Sequence, residues 1–168
     1  NGWGKGRTAL YLAALQGHTR IVRMLISAKA SVDQFGQEDM EITPLCCACH
    51  RGHLSVVQAL VAAKSKVDLQ SEGGTTPLIL AAMQGHSDVV EALINVGADL
   101  DLQANDGASP VFWASGKGHS DIMESLVRHG ADVTLKYTYS STGMQYTPKM
   151  AAEAEGYADI AAFLGAFL

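Results

Sequence analysis

The stretch that decides the fold is GTTPLILAAMQGHSDVVEALINVG, residues 74–97. Thr76 followed by Pro77 predicts a helix start, because the hydroxyl can accept a bond from a backbone N–H and proline suits the first helical position. Gly85 predicts the end of this helix, since glycine adopts a left-handed closing conformation at little cost. The segment up to Gly97 then repeats apolar residues at helical spacing. We therefore expect two short antiparallel helices joined by a tight turn.

The same pattern recurs along the chain, starting at residues 6, 42, 107 and 147. The four further copies read GRTALYLAALQGHTRIVRMLI, ITPLCCACHRGHLSVVQALV, GASPVFWASGKGHSDIMESLV and TPKMAAEAEGYADIAAFL. The capping residues of all five copies are Thr8, Thr43, Thr76, Ser109 and Thr147. Successive capping residues are 35, 33, 33 and 38 positions apart. A single helix pair cannot bury its apolar stripe alone, so the copies are expected to stack on one another.

A period near 33 with a Thr-Pro-Leu start, an internal Gly-His and a closing Gly-Ala-Asp resembles the ankyrin-repeat family. The resemblance extends over essentially the whole chain. It implies an all-α ankyrin-repeat solenoid of five helix-turn-helix repeats with hairpin fingers, forming a single domain over residues 1–168. The expected repeats cover about 1–33, 34–68, 69–101, 102–134 and 135–168.

Composition favours a folded protein, since 48% of the 168 residues are apolar and 17% are charged. No apolar run approaches the ~18–20 residues needed to span a bilayer. The only cysteines lie together in CCAC, residues 46–49, which favours a reducing compartment and hence an intracellular, cytoplasmic location. A net charge of −5 argues against nucleic acid or an anionic membrane as the main partner.

Charge is distributed unevenly along the chain. Through Lys66 there are eight Lys/Arg and four Asp/Glu, a net of +4, whereas from Val67 onward there are four against thirteen, a net of −9. One interpretation is ordinary variation of the surface. The other is a gradient that orients a partner along the groove and raises its association rate.

The most suggestive cluster for metal binding is CCACHRGH. On a helix, Cys46, Cys49, His50 and His53 fall on one face, and all four can ligate zinc. However, the ligands of one straight helix cannot surround an ion tetrahedrally, and other repeats fill the same positions with packing residues. Buried cysteine also behaves as a small apolar side chain. We therefore predict packing here, with no metal and no cofactor.

Four histidines recur at one position of the repeat, and they are His18, His53, His86 and His119. We predict a structural role for them, with each ring bonding backbone groups of neighbouring turns. The chain has no Gly-x-Ser-x-Gly motif, no phosphate-binding glycine loop and no nucleophile–base–acid set. We therefore expect no enzymatic activity.

The resemblance also implies a partner-binding surface. In the family, partners usually contact the fingertips and the two residues before each helix-ending glycine, on the concave face. The pre-glycine positions of this chain are Leu15, Gln16, His50, Arg51, Met83, Gln84 and Lys117, with Gly116, Ala154 and Glu155 in equivalent places. The fingertip residues are Arg7, Met40, Ile42, Glu72, Thr75, Asn105, Asp106, Tyr139, Met144 and Tyr146.

Two aromatic positions need separate interpretation. Trp113 shares the register of Leu80, so we predict that it belongs to the core. Tyr137, Tyr139 and Tyr146 accompany the last finger, about residues 135–145, which is five residues longer than the period requires. Insertions in solenoids often lie on the binding face.

We expect a non-catalytic module that binds a partner protein or peptide through its concave face. Two alternatives remain open: a structural or assembly segment of a larger ankyrin-repeat protein, or a regulatory arm of a multidomain enzyme or channel. The last helix, residues 158–168, has one charge and several large apolar residues. It suggests either a fragment of a longer chain or an end that packs on something else, such as further repeats.

Overall fold

The architecture is a stack of helix pairs, seen in a computed structural model that describes residues 8–36 and 42–168. The inner helices of the pairs are α1 Ala9–Leu15, α3 Pro44–His50, α5 Pro77–Gln84, α7 Pro110–Gly116 and α9 Pro148–Glu155. The outer helices are α2 Thr19–Ser27, α4 Leu54–Ala62, α6 Ser87–Asn95, α8 Ser120–Arg128 and α10 Ala158–Gly165. The expected all-α solenoid is therefore confirmed, with five helix pairs in the described residues.

Each inner helix begins at a capping hydroxyl, as the sequence predicts. The Thr43 side chain accepts from the backbone N–H of Cys46 at 3.1 Å, and Thr76 accepts from Ile79 at 3.1 Å. The hydroxyls of Thr8, Ser109 and Thr147 do the same for their own helices. These bonds satisfy N–H groups that the helix itself leaves without a partner.

The Gly-His pair joins each repeat to the one before it. Gly52 has a φ of +71°, and the ring of His86 from the next repeat lies directly against its α-carbon. The Nε2 atom of His86 donates to the carbonyl oxygen of His50 at 3.1 Å. His53 and His119 form equivalent bonds at 3.3 Å to the carbonyls of Leu15 and Met83. The prediction of a structural role is thus confirmed for these three histidines.

Most of the core is one continuous cluster along the stack, and a smaller cluster of Ala108, Phe112 and Ala151 lies apart from it. The main cluster extends from Leu10 in the first repeat to Leu164 in the last, and it lies mainly between the inner and outer rows of helices. Each inner helix contacts the next inner helix, and α2, α4, α6 and α8 contact one another in turn. Alanines such as Ala14, Ala48 and Ala81 are fully buried in the inner row. Their small side chains permit the close approach of neighbouring helices.

The fingers project from the inner side of the stack. The last finger contains β1, Tyr137–Thr138, and β2, Gln145–Tyr146, which pair antiparallel. Successive fingers are also linked, since Gln70 donates its Nε2 to the carbonyl of Gln103 at 3.0 Å. The sequence predicts a longer second finger over residues 34–41, of which 37–41 lie outside the described residues.

Candidate functional site

Two neighbouring cavities lie on the side of the stack formed by the inner helices and the fingers. We call this surface the groove face; it corresponds to the face that the ankyrin resemblance predicts to be concave. The first cavity, the central compartment, has a volume of about 510 Å³. The second, the aromatic compartment, has a volume of about 330 Å³. Trp113 lines both, so the two cavities adjoin along the groove.

The central compartment has an apolar floor and a polar rim. Ile79, Leu80 and Ala104 contribute apolar surface from α5 and the following finger. The structure brings six predicted contact residues together around it, and they are Ile42, His50, Glu72, Thr75, Met83 and Asp106. These residues come from three successive repeats. A groove of this composition can take apolar side chains while its rim bonds polar groups.

The aromatic compartment lies between α7, α9 and the last finger. The rings of Phe112 and Tyr137 stack with their centroids 4.7 Å apart. Trp113 lies 6.5 Å from Tyr137, and Tyr139 meets Tyr137 edge-on at 6.3 Å. Tyr146, a predicted contact residue, completes the lining. The rings are therefore held at distances typical of mutually supporting aromatic clusters.

The hairpin of the last finger positions two of these rings. Tyr137 on β1 is paired directly with Tyr146 on β2, and residues paired in this way project from the same face of a sheet. The backbone N–H of Thr138 donates to the carbonyl of Asp106 at 2.7 Å, which ties this hairpin to the preceding finger. Both tyrosines are thereby presented to the groove.

Gly116 is the smallest residue that lines the aromatic compartment. The equivalent positions of the first three repeats carry the larger residues Leu15, His50 and Met83. A β-carbon added to Gly116 would lie 3.4 Å from the β-carbon of Ala151, at ordinary contact distance. Gly116 lines the compartment together with Trp113 and adds no side chain to it.

Charged groups surround the aromatic compartment. The amine of Lys117 lies 5.8 Å from the centre of the Trp113 ring, and Glu155 also lines the cavity. Burial raises the pKa of the Tyr137 hydroxyl above its usual value, and the neighbouring Asp106 carboxylate and Tyr139 add to this shift. The hydroxyl is consequently a neutral hydrogen-bonding group at physiological pH.

The prediction that Trp113 belongs to the core holds only in part. Its indole packs against the buried ring of Phe112 at 5.8 Å, but it is only partly buried and lines both compartments. In the repeat register, Trp113 occupies the position that Leu80 has in the preceding repeat. However, the indole is larger than the leucine side chain, so the part that the core cannot accommodate lies on the groove face. Phe112, Tyr137 and Glu155 are further lining residues outside the main predicted set.

Other predicted contact residues lie away from the two compartments. Asn105 uses its side chain within the fold, donating Nδ2 to the carbonyl of Glu72 at 2.9 Å. Met144 is 59% exposed at the tip of the last finger, where its sulfur accepts from the Tyr146 hydroxyl at 3.8 Å. The inner helices end near Leu15, Gln16, Arg51 and Gln84, and all but the partly buried Leu15 are exposed. Arg7 and Met40 lie outside the described residues. Their contact roles stay predictions.

The cysteine cluster is part of the core. Cys46, Cys47 and Cys49 are almost completely buried, and burial raises the pKa of each thiol, that of Cys47 to about 12. Neutral thiols are poor nucleophiles and poor metal ligands. Within residues 8–36 and 42–168, no three His, Cys, Asp or Glu side chains are placed to hold a metal ion together.

Comparison with protein families agrees with the geometry. A model of ankyrin repeats in three copies matches residues 1–71 and, in a second match, residues 45–137. The chain belongs to the ankyrin-repeat family. A comparison with curated proteins gives no significant match. Ankyrin repeats generally mediate contacts between proteins and are typically non-catalytic modules. No helix in the described part of the chain is long and apolar enough to cross a membrane.

Proposed function

We propose that the chain is a non-catalytic module that captures a partner protein through the groove face. The observation that supports this most directly is the continuity of the two compartments across Trp113. Together they offer an apolar floor, an aromatic wall and a rim of polar groups from several repeats. Aromatic, methionine and arginine-type contacts with a polar rim are typical of protein interfaces.

The arrangement suits an extended segment of the partner. The central compartment accepts apolar side chains near Leu80 and Met83, and the aromatic compartment lies next to it along the stack. Both are open to solvent along one side, so a chain can enter without rearrangement of the repeats. The fingers and inner helices are linked by hydrogen bonds, which preorganises the surface and lowers the entropic cost of binding.

The proposal is tested by capturing partner proteins with two variants that carry the same charge substitution on different faces of the chain. Met83→Glu places a carboxylate in the central compartment, whereas Met24→Glu makes the same change on α2, where Met24 is 62% exposed. We expect proteins held by the unchanged chain to be lost with Met83→Glu and retained with Met24→Glu, while circular dichroism shows both variants folded. Retention of the same proteins by both variants would contradict the proposal.

A second candidate function is association through the last repeat. Phe167 and Leu168 are 55% and 65% exposed and follow α10, and the ring of Phe163 lies 5.2 Å from that of Phe167. A histidine ring of the next repeat packs against the α-carbon of Gly17, Gly52 and Gly85. No described residue packs in this way against Gly156. Such a face can stack on a further ankyrin-type repeat.

Sedimentation distinguishes this candidate from groove binding. If the end face drives assembly, the chain will associate with rising concentration and Phe167→Glu will suppress the association. Met83→Glu will leave it unchanged. A monomer at all concentrations would argue against self-association.

A further inference from the structure

The aromatic compartment has the features of a site for a cation. Its walls are the rings of Trp113, Tyr137, Tyr139 and Tyr146, and the first two lie 6.5 Å apart. The faces of such rings carry negative electrostatic potential and attract ammonium and guanidinium groups within ~6 Å.

The chain already places a cation on one of these rings. The Lys117 amine lies 5.8 Å from the centre of the Trp113 ring. Lys117 is exposed, and it forms no ion pair with any residue that the structure describes. An incoming cation can therefore displace this side chain into solvent, although the like charge of Lys117 opposes binding.

Carboxylates favour a basic ligand on this part of the groove face. Glu155 lines the aromatic compartment without an ion-pair partner in the described residues, and Glu72 and Asp106 lie on the rim of the adjoining compartment. The chain from Val67 onward also carries the net charge of −9 noted above. This charge attracts a basic segment and orients it along the groove.

We infer that the aromatic compartment binds the guanidinium group of an arginine side chain, presented by a basic segment of the partner. A planar guanidinium can stack on the Trp113 or Tyr137 ring while its N–H groups bond the carboxylate of Glu155. The cavity of about 330 Å³, which Gly116 helps to line, accommodates this group. This inference rests on the proposed function, because it names the chemistry that the groove face recognises.

The test uses the full chain with Trp3→Phe, so that Trp113 is the only tryptophan. The probe is an eight-residue peptide of alanine and serine with one central arginine, titrated to millimolar concentration while Trp113 fluorescence is recorded. Control peptides carry citrulline, leucine or glutamate at the central position. Citrulline keeps the shape of arginine without its charge. We expect the arginine peptide to bind at least about 10-fold more tightly than the citrulline peptide.

Variants of the compartment test its separate parts. Tyr137→Leu should weaken the arginine peptide about 10-fold, whereas Tyr137→Phe, which keeps the ring, should bind nearly as well as the unchanged chain. Glu155→Gln should weaken binding about 3-fold. Lys117→Gln should strengthen it about 3-fold, since it removes a like charge. Circular dichroism of each variant verifies the fold.

Specific results would overturn the inference. They are equal binding of arginine and citrulline peptides, absence of saturable binding at 5 mM peptide, preference for leucine or glutamate, or weaker binding in Lys117→Gln. Failure of the proposed function looks different. If Met83→Glu leaves partner capture unchanged, the groove as a whole is not the binding surface, whatever the peptide titration shows. If capture of partners depends on Met83 but the citrulline peptide binds as tightly as the arginine peptide, only the assignment of an arginine ligand fails.

Discussion

At the scale of single residues, two lysines occupy a backbone conformation that suits glycine. Lys29 and Lys64 have φ values of 63° and 66°, and the same register of later repeats carries Gly97 and Gly130. A left-handed conformation costs a residue with a β-carbon roughly 1–2 kcal/mol, of which the added flexibility of unfolded glycine offsets part. These positions are therefore local weaknesses of the fold.

We predict that Lys64→Gly raises the free energy of unfolding by about 0.5–1 kcal/mol. Lys66→Gly is the matched control, because this nearby lysine is also exposed but does not have a positive φ. It should lower stability. Urea denaturation followed by circular dichroism measures both changes. An equal loss of stability in the two variants would show that the left-handed conformation carries no strain.

The buried thiol of Cys47 makes stability depend on alkaline pH. Its pKa is raised to about 12 from an ordinary value of 9.0, chiefly by burial, so the folded state keeps the proton when the unfolded state has lost it. The contribution is fully present below pH 9 and is lost as the pH rises toward 12.

We predict that the stability advantage of the unchanged chain over Cys47→Ala shrinks above pH 9 by about 1.4 kcal/mol per pH unit. Comparison with this variant removes the contributions of other groups that titrate in the same range. Urea denaturation at several pH values between 8 and 11 measures the difference. A constant difference across this range would contradict burial of the neutral thiol.

At the scale of helices and turns, the glycine before each repeat histidine must adopt a positive φ and must also leave room for a ring from the next repeat. Gly97, which ends an outer helix, has only the first of these requirements. Gly52 and Gly97 both have positive φ values, of 71° and 82°. A β-carbon on Gly52 would come within 2.6 Å of the His86 ring, whereas one on Gly97 would meet nothing within 4 Å. Comparing substitutions at these two glycines therefore separates the cost of backbone strain from the cost of displacing a ring of the next repeat.

We predict that Gly52→Ala destabilises the chain by about 1–3 kcal/mol more than Gly97→Ala, because only the first substitution displaces a neighbouring ring. Adding His86→Ala to Gly52→Ala should remove most of this excess. The double-mutant cycle is measured by urea denaturation. Equal effects of the two glycine substitutions would mean that the histidine ring yields without cost.

Some features of these elements could be predicted from the sequence, and others could not. The capping hydroxyls and turn glycines could be predicted because each acts through bonds within a few residues of itself. The sequence predicts Lys117, Tyr139 and Tyr146 as contact residues, but the compartment that they line could not be predicted, because it depends on the size of Trp113 relative to its position in the repeat and on the placement of Tyr137. The last finger is longer than the period, so the repeat register gives no position for its residues. Only the folded hairpin brings Tyr137 against Phe112.

At the scale of the whole molecule, the continuous core suggests that the repeats unfold together. The main cluster of buried residues extends from the first helix pair to the last, beside a smaller cluster around Phe112. We propose that residues 1–168 are one cooperative domain, although each repeat contacts only its neighbours. We predict that Trp113 fluorescence, in the chain with Trp3→Phe, and circular dichroism report the same urea midpoint. Separate midpoints would divide the stack into independently stable parts.

The central claim is that partners bind the groove face, and hydrogen exchange of the complex tests it most directly. A partner obtained by capture is added to the chain, and amide exchange is followed by mass spectrometry. We predict slower exchange in residues 79–84, 112–117 and 137–146, with little change in the outer helices α4, α6 and α8. Protection confined to these outer helices or to residues 158–168 would contradict the claim.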